Sequence, residues 1–233
     1  MSGIGRRHAP SHGQGPVSVG LTRRLIGEGL GSAFLLAAVV GSGIMADRLF
    51  AHEGLALLAN SLATGAALVM LIYTFGPISG AHFNPVVTLA EAINGGVPRR
   101  IGAWYVVPQI MGAVLGVWSA HAMFGERIFM LSQYARTSPG LWFSEFIATF
   151  GLIAVITGCS RRRPDALPLA VAAYITAAYW FTASTSFANP AVTLARAFTD
   201  TFAGIRPTRP RSSSGRCSAP CRGPFCCGGS PLP

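Results

Sequence analysis

The residues of this chain whose types and spacing suggest chemistry are two asparagines, each followed by proline. Asn84-Pro85-Val86-Val87-Thr88-Leu89-Ala90 and Asn189-Pro190-Ala191-Val192-Thr193-Leu194-Ala195 lie 105 residues apart and differ at one position. A carboxamide is neither acid nor base, so what it offers is hydrogen bonding. Asn followed by Pro has the signature of a helix start. The Asn side chain caps free backbone N–H groups, and Pro at the first helical position forgoes a bond it would not have made. Two such starts aimed at one spot would place positive dipole ends and amide donors before a passing solute. That is chemistry of filtering, with no bond made or broken.

Other reactive groups do not assemble into a catalyst. His82 stands two residues before Asn84, but no Ser, Cys or carboxylate surrounds it at a recognisable spacing, so the chain is not read as an enzyme. Cys217, Cys221, Cys226 and Cys227 bring soft thiolates, and the first two have a spacing seen in metal sites. No His accompanies them, Pro and Gly crowd the segment, and the total of five Cys is odd. Neither a metal site, nor a disulfide framework, nor any cofactor is expected.

The elements that must position the asparagines belong to a membrane protein. The chain is 51% hydrophobic and 11% charged, with a mean hydropathy of +0.47. Its net charge of +10 comes entirely from Arg on the basic side, and the Arg residues cluster in the gaps between apolar runs. That pattern describes topology and argues against nucleic-acid binding. Crossing a hydrocarbon core of ~30 Å takes about 20 apolar residues. Five runs qualify, near 24–46, 55–76, 101–123, 140–159 and 166–184. Nine Arg residues (6, 7, 23, 24, 99, 100, 161, 162, 163) lie in one set of connections and three (48, 127, 136) in the other, which puts the N-terminus in the cytoplasm of a multi-pass cell-membrane (inner-membrane) protein. Residues 1–22 are expected to be a disordered cytoplasmic tail, with no secretory signal.

The two Asn-Pro segments, about 79–94 and 184–200, are too short to span and each follows a full run. They read as re-entrant half-helices. Irregular backbone at membrane depth survives where it is buried in protein or lines a watery cavity, so 79–83 and 184–188 should face a channel. Two ordinary capped surface helices are the alternative. Repetition of a heptapeptide in matching places is the mark of an inverted-repeat transport fold. Glu28 with Gly31 and Phe34 is echoed by Glu145 with Thr149 and Phe150. A lone Glu inside a membrane helix needs partners, such as the backbone of a neighbouring re-entrant loop, unless it sits at an interface. Gly27, Gly31, Gly112 and Gly116 would let helices approach closely. The division is then 23–123 for a first repeat and 124–206 for a second.

With these residues in place the chain resembles the aquaporins, or major intrinsic proteins. The strings Ser79-Gly80-Ala81-His82-Phe83-Asn84-Pro85-Val86-Val87-Thr88 and Ser186-Phe187-Ala188-Asn189-Pro190-Ala191 look like the family's two signature loops, and Gln109-Ile110-Met111-Gly112-Ala113 is similar to its third-helix motif. The resemblance implies an all-α membrane fold, an inverted repeat with two re-entrant half-helices. It also implies one pore per subunit, a homotetramer in the lipid bilayer, and passive passage of small neutral solutes with ions excluded. It assigns His82 to the pore lining. Counted along the family pattern, the filter positions fall on Thr64, Ala177, Ser186 and Val192, where water-selective members carry Arg at the place of Val192. Four small residues imply a wider constriction, poorer in donors. That is similar to bacterial aquaglyceroporins linked to arsenic handling, which points to glycerol-like polyols, arsenous acid or methylated arsenicals besides water. Packing away from the pore is the other reading of these four.

An aquaporin-like chain needs a sixth span after Arg206, and residues 207–233 contain no apolar run. The abrupt change to Arg, Pro, Ser, Gly and Cys is the composition that a shifted reading frame would produce. The expected fold therefore lacks the sixth transmembrane helix. A truncated, non-conducting membrane polypeptide stands as the alternative function.

Overall fold

The computed structural model describes residues 19–133 and 138–204, and within them every regular element is helical. Seven helices follow one another: α1 (Leu21–Leu49), α2 (Glu53–Ser79), α3 (Pro85–Ile93), α4 (Arg99–Phe124), α5 (Pro139–Arg162), α6 (Leu167–Phe181) and α7 (Pro190–Ala195). Short 3-10 turns, Pro164–Ala166 and Arg196–Phe198, precede α6 and follow α7. Helices α1, α2, α4 and α5 are long and apolar enough to cross a membrane. Large apolar side chains such as Phe34, Leu62, Met111, Phe146 and Trp180 stay exposed on their outer faces, where lipid would meet them.

The fifth apolar run departs from expectation. Read as a span over 166–184, it folds as the 15-residue α6, about 22 Å long at 1.5 Å per residue. Pro164 and Pro168 delay its start. Its end is made by Thr182, whose hydroxyl donates to the Ala178 carbonyl at 2.7 Å and accepts the Ser186 N–H at 2.9 Å. That bond turns the chain into the re-entrant approach before α6 can lengthen. The expected absence of a sixth span and the tail 207–233 lie outside the described residues, as do the four tail cysteines and most of the 1–22 tail.

Close packing centres on α1 and α4. A methyl group placed on Gly112 would meet the Gly29 carbonyl, and one on Gly116 the Ala33 carbonyl, so the two backbones touch where side chains are smallest. Gly31 makes room for the Phe83 ring, and Gly27 faces Ser79. Helix α1 also packs on α2, α2 on α6, and the two short helices α3 and α7 lean on α4. The described core runs from Leu36, Val40 and Leu71 to Val117 and on through Val87, Ala191 and Val192 at the short helices.

Candidate functional site

The two Asn-Pro segments fold as capped helix starts. Asn84 precedes α3 with φ −151° and its Oδ1 accepts the Val86 N–H at 2.9 Å. Asn189 precedes α7 with φ −150° and accepts from Ala191 at 3.0 Å and Val192 at 3.3 Å. Pro follows in each at the first helical turn, where its missing N–H costs nothing. The starts then lock onto each other. The Asn84 Nδ2 donates to the Ala188 carbonyl at 2.8 Å and the Asn189 Nδ2 to the Phe83 carbonyl at 2.7 Å. An amide nitrogen carries two hydrogens, so each Asn retains a second donor after this bond.

The approaches to the two starts share an unusual backbone. Ala81 (φ 51°), Phe83 (φ 49°), Ser186 (φ 51°) and Ala188 (φ 43°) occupy the left-handed region, three and one residues before each Asn. Left-handed non-glycine residues cost of order 1–3 kcal/mol each and persist only where surroundings hold them. Here the surroundings are acidic. The Glu28 carboxylate, fully buried, accepts the backbone N–H of His82 at 3.0 Å and of Phe83 at 2.7 Å. It also accepts Ser79 Oγ at 2.6 Å and Gln109 Nε2 at 2.8 Å. Glu145, half-buried on α5, accepts Phe187 at 3.0 Å and Ala188 at 2.8 Å. Gln109 ties the first anchor to α3 through Thr88 Oγ1 at 2.9 Å, and Tyr105 donates its hydroxyl to the Ser79 carbonyl at 2.8 Å.

A cavity of about 570 Å³ runs past both starts, and its wall includes residues 79–84 and 186–189. Of the signature residues it touches Asn84 and Asn189, but not Pro85, Val86, Pro190 or Ala191. Val86 is half-buried off the cavity, so its extra bulk over Ala does not narrow the wall. The short helices line it through Val87 and Glu91 on α3 and Val192 on α7. His82 lines the wall, its Nδ1 3.0 Å from Thr88 Oγ1 and its ring tilted against Tyr105.

Three of the four counted filter residues come together in the wall, namely Thr64, Ser186 and Val192. Ala177 does not; it is exposed on α6. The α6 face on the cavity carries Val171, Ile175 and Tyr179, one helical turn apart, and α6 ends at Phe181 before the irregular turn that leads to Asn189. Tyr179 sets its hydroxyl 3.2 Å from Thr64 Oγ1. Ser186 Oγ is buried without a protein partner among the described residues, which leaves it to a solute. Phe187 and Arg196 also stand in the wall. The lining is therefore richer in donors and aromatic surface than four small residues imply. Tyr179 was legible only through the 171/175/179 spacing, and Arg196 only through the cost of a charge so close to a membrane core.

Comparison with known proteins identifies relatives of the chain. The family model described as Major intrinsic protein matches residues 16–166. Aquaglyceroporin AqpS of Rhizobium meliloti (strain 1021) is 57% identical over 187 residues, which cover 80% of this chain and 80% of that protein. Aquaporin NIP1-1 of Zea mays is 35% identical over 144 residues, 61% of this chain and 50% of the relative, so the chain spans about half the length of such plant relatives. The X-ray structure of the aquaglyceroporin from Plasmodium falciparum superimposes with a TM-score of 0.54 at 21% identity, covering 76% of this chain and 78% of that one, a likeness of fold.

Proposed function

The chain belongs to the major intrinsic protein family, and from that premise we propose that it is a passive membrane channel for water and small uncharged solutes such as glycerol. Members of this family are channels and not enzymes, and the apolar helices make the chain a multi-pass membrane protein. The single observation that carries the reading is the meeting of two Asn-capped helix starts, bonded reciprocally and set in the wall of one cavity. A water or polyol oxygen that accepts from both remaining amide hydrogens is oriented by them. It then cannot belong to an unbroken proton wire, while the positive helix ends disfavour cations.

Thr64, Ser186 and Val192, joined by Tyr179 in place of Ala177, are proposed as the filter. Three hydroxyls, on Thr64, Ser186 and Tyr179, beside the apolar Val192 suit a solute broader than water and carrying several oxygens, such as glycerol, arsenous acid or a methylated arsenical. His82 is proposed as lining at the other end of the pore, and Glu28 and Glu145 as the acids that hold the loops. Residues 23–123 and 124–206 are proposed as two repeats, supported by the matched caps, the matched left-handed positions and the matched glutamates. The Arg bias supports an inner-membrane placement with a cytoplasmic N-terminus. A homotetramer is proposed from the resemblance alone.

Stopped-flow light scattering on proteoliposomes tests the reading, with water, glycerol and arsenite as solutes. Flux above that of protein-free vesicles for water and at least one larger solute is expected. Fluxes equal to bare lipid would sink the channel in favour of a non-conducting polypeptide. Crosslinking in the same vesicles reads the tetramer.

A further inference from the structure

The charge that Val192 omits is present one helical turn further along. Arg196 follows α7 directly and opens the 3-10 turn Arg196–Phe198. It stands four residues after Val192, the spacing that puts two helical residues on one face, and both line the cavity. The side chain is only 5% exposed, although it carries a guanidinium that stays charged at any working pH. Contacts with described residues help to hold it. Its Nε donates to the Ala203 carbonyl at 2.5 Å, and its guanidinium carbon lies 4.9 Å from the centroid of the Phe187 ring, itself part of the wall. At 1.5 Å per residue Arg196 is about 10 Å along the helix from Asn189. It therefore acts on a solute at a different depth from the paired asparagines.

We infer that Arg196 excludes cations at the filter of this pore, a fixed positive charge displaced one helical turn from the position that Val192 fills and acting beside the helix ends at the asparagines; the inference rests on the channel reading above. A lining of Thr64, Ser186 and Val192 discriminates by size and not by charge, so on its own it would admit a small organic cation as readily as a neutral molecule of the same shape. A buried guanidinium at the wall changes that, because charge repulsion is strong where water is scarce. Neutral oxygen-bearing solutes pass and gain a donor. Cations of equal size are turned back.

Urea and guanidinium are planar, nearly equal in size and differ in charge, so their flux ratio isolates the effect. The full chain in proteoliposomes is expected to pass urea while guanidinium entry stays near that of bare lipid. Arg196→Gln keeps a donor for the Ala203 carbonyl and is expected to raise the guanidinium-to-urea ratio at least tenfold. Arg196→Lys keeps the charge without the planar fork and is expected to leave the ratio within about twofold of the parent. A folded Arg196→Gln protein that excludes guanidinium as well as the parent overturns the inference. A guanidinium-to-urea ratio through Arg196→Lys at least tenfold above the parent also overturns it, and this arm decides the matter if the Gln variant is not recovered folded. A parent chain that passes neither urea nor glycerol instead sinks the channel reading itself.

Discussion

Among the described residues, Glu28 is fully buried on α1 and accepts four hydrogen bonds, from Ser79, His82, Phe83 and Gln109, whereas Glu145 is half-buried on α5 and accepts two, from Phe187 and Ala188. The helices that carry them differ in the same direction. Of the most apolar stretch of α1, 56% is buried inside the protein, against 11% for α5. Helix α3 runs nine residues and α7 six before tightening into a 3-10 turn. Yet the two caps are superimposable in their angles, φ −151° at Asn84 and −150° at Asn189. The comparison separates two kinds of structure. A cap closes through bonds to residues two or three positions on and forms whatever surrounds it. An anchor closes through residues far away in sequence and is only as complete as the packing around it.

The largest test of that contrast removes the acids. Glu28→Ala strands four buried donors, at about 1–3 kcal/mol each, and is expected to abolish the monodisperse, folded protein in detergent. Glu145→Ala strands two donors in a more open site and is expected to lower the melting temperature while leaving folded protein recoverable. Equal losses would break the comparison. Next in size is the helix contact. Gly112→Ala presses a methyl group onto the Gly29 carbonyl and should destabilise by about 1–3 kcal/mol, measured by thermal unfolding in detergent.

The caps should behave alike where the anchors do not. Asn84→Ala and Asn189→Ala each lose a cap worth about 0.5–2 kcal/mol and one cross-bond, so their stability losses should agree within error, with solute flux reduced in both. A loss several-fold larger on one side would show that the meeting point is not symmetric. The smallest effect is expected on α5. A methyl group on Gly158 meets nothing within 4 Å among the described residues, so Gly158→Ala should be neutral or stabilise by up to about 1 kcal/mol of helix propensity. Strong destabilisation there would reveal a partner packed on α5.

Much of the fold was legible because its signals are local. The first four apolar runs became α1, α2, α4 and α5 with ends shifted by a few residues, and both Asn-Pro starts stand where the heptapeptides place them. The glutamates were readable as loop anchors because an acid in a membrane helix has few other uses. Ala177 was misplaced for a physical reason. It was counted along the family pattern, and between it and Asn189 the hydroxyl of Thr182 ends α6 early and left-handed residues re-aim the chain, so helical periodicity does not carry through. The length of α6 was missed for the same reason.

The amino-acid sequence by itself determined the membrane class, the order of the helices and the two capped starts. Each of these depends on hydropathy along one segment or on a side chain bonding its own neighbours. Tertiary structure alone decided which face of each helix meets the cavity. It joined Asn84 to Ala188 and Asn189 to Phe83, gave Glu28 its partners 51 to 81 residues away, and set Arg196 in the wall that Val192 leaves uncharged. Those contacts close across the bundle, and spacing along a chain cannot specify them, because one irregular turn is enough to rotate every residue that follows.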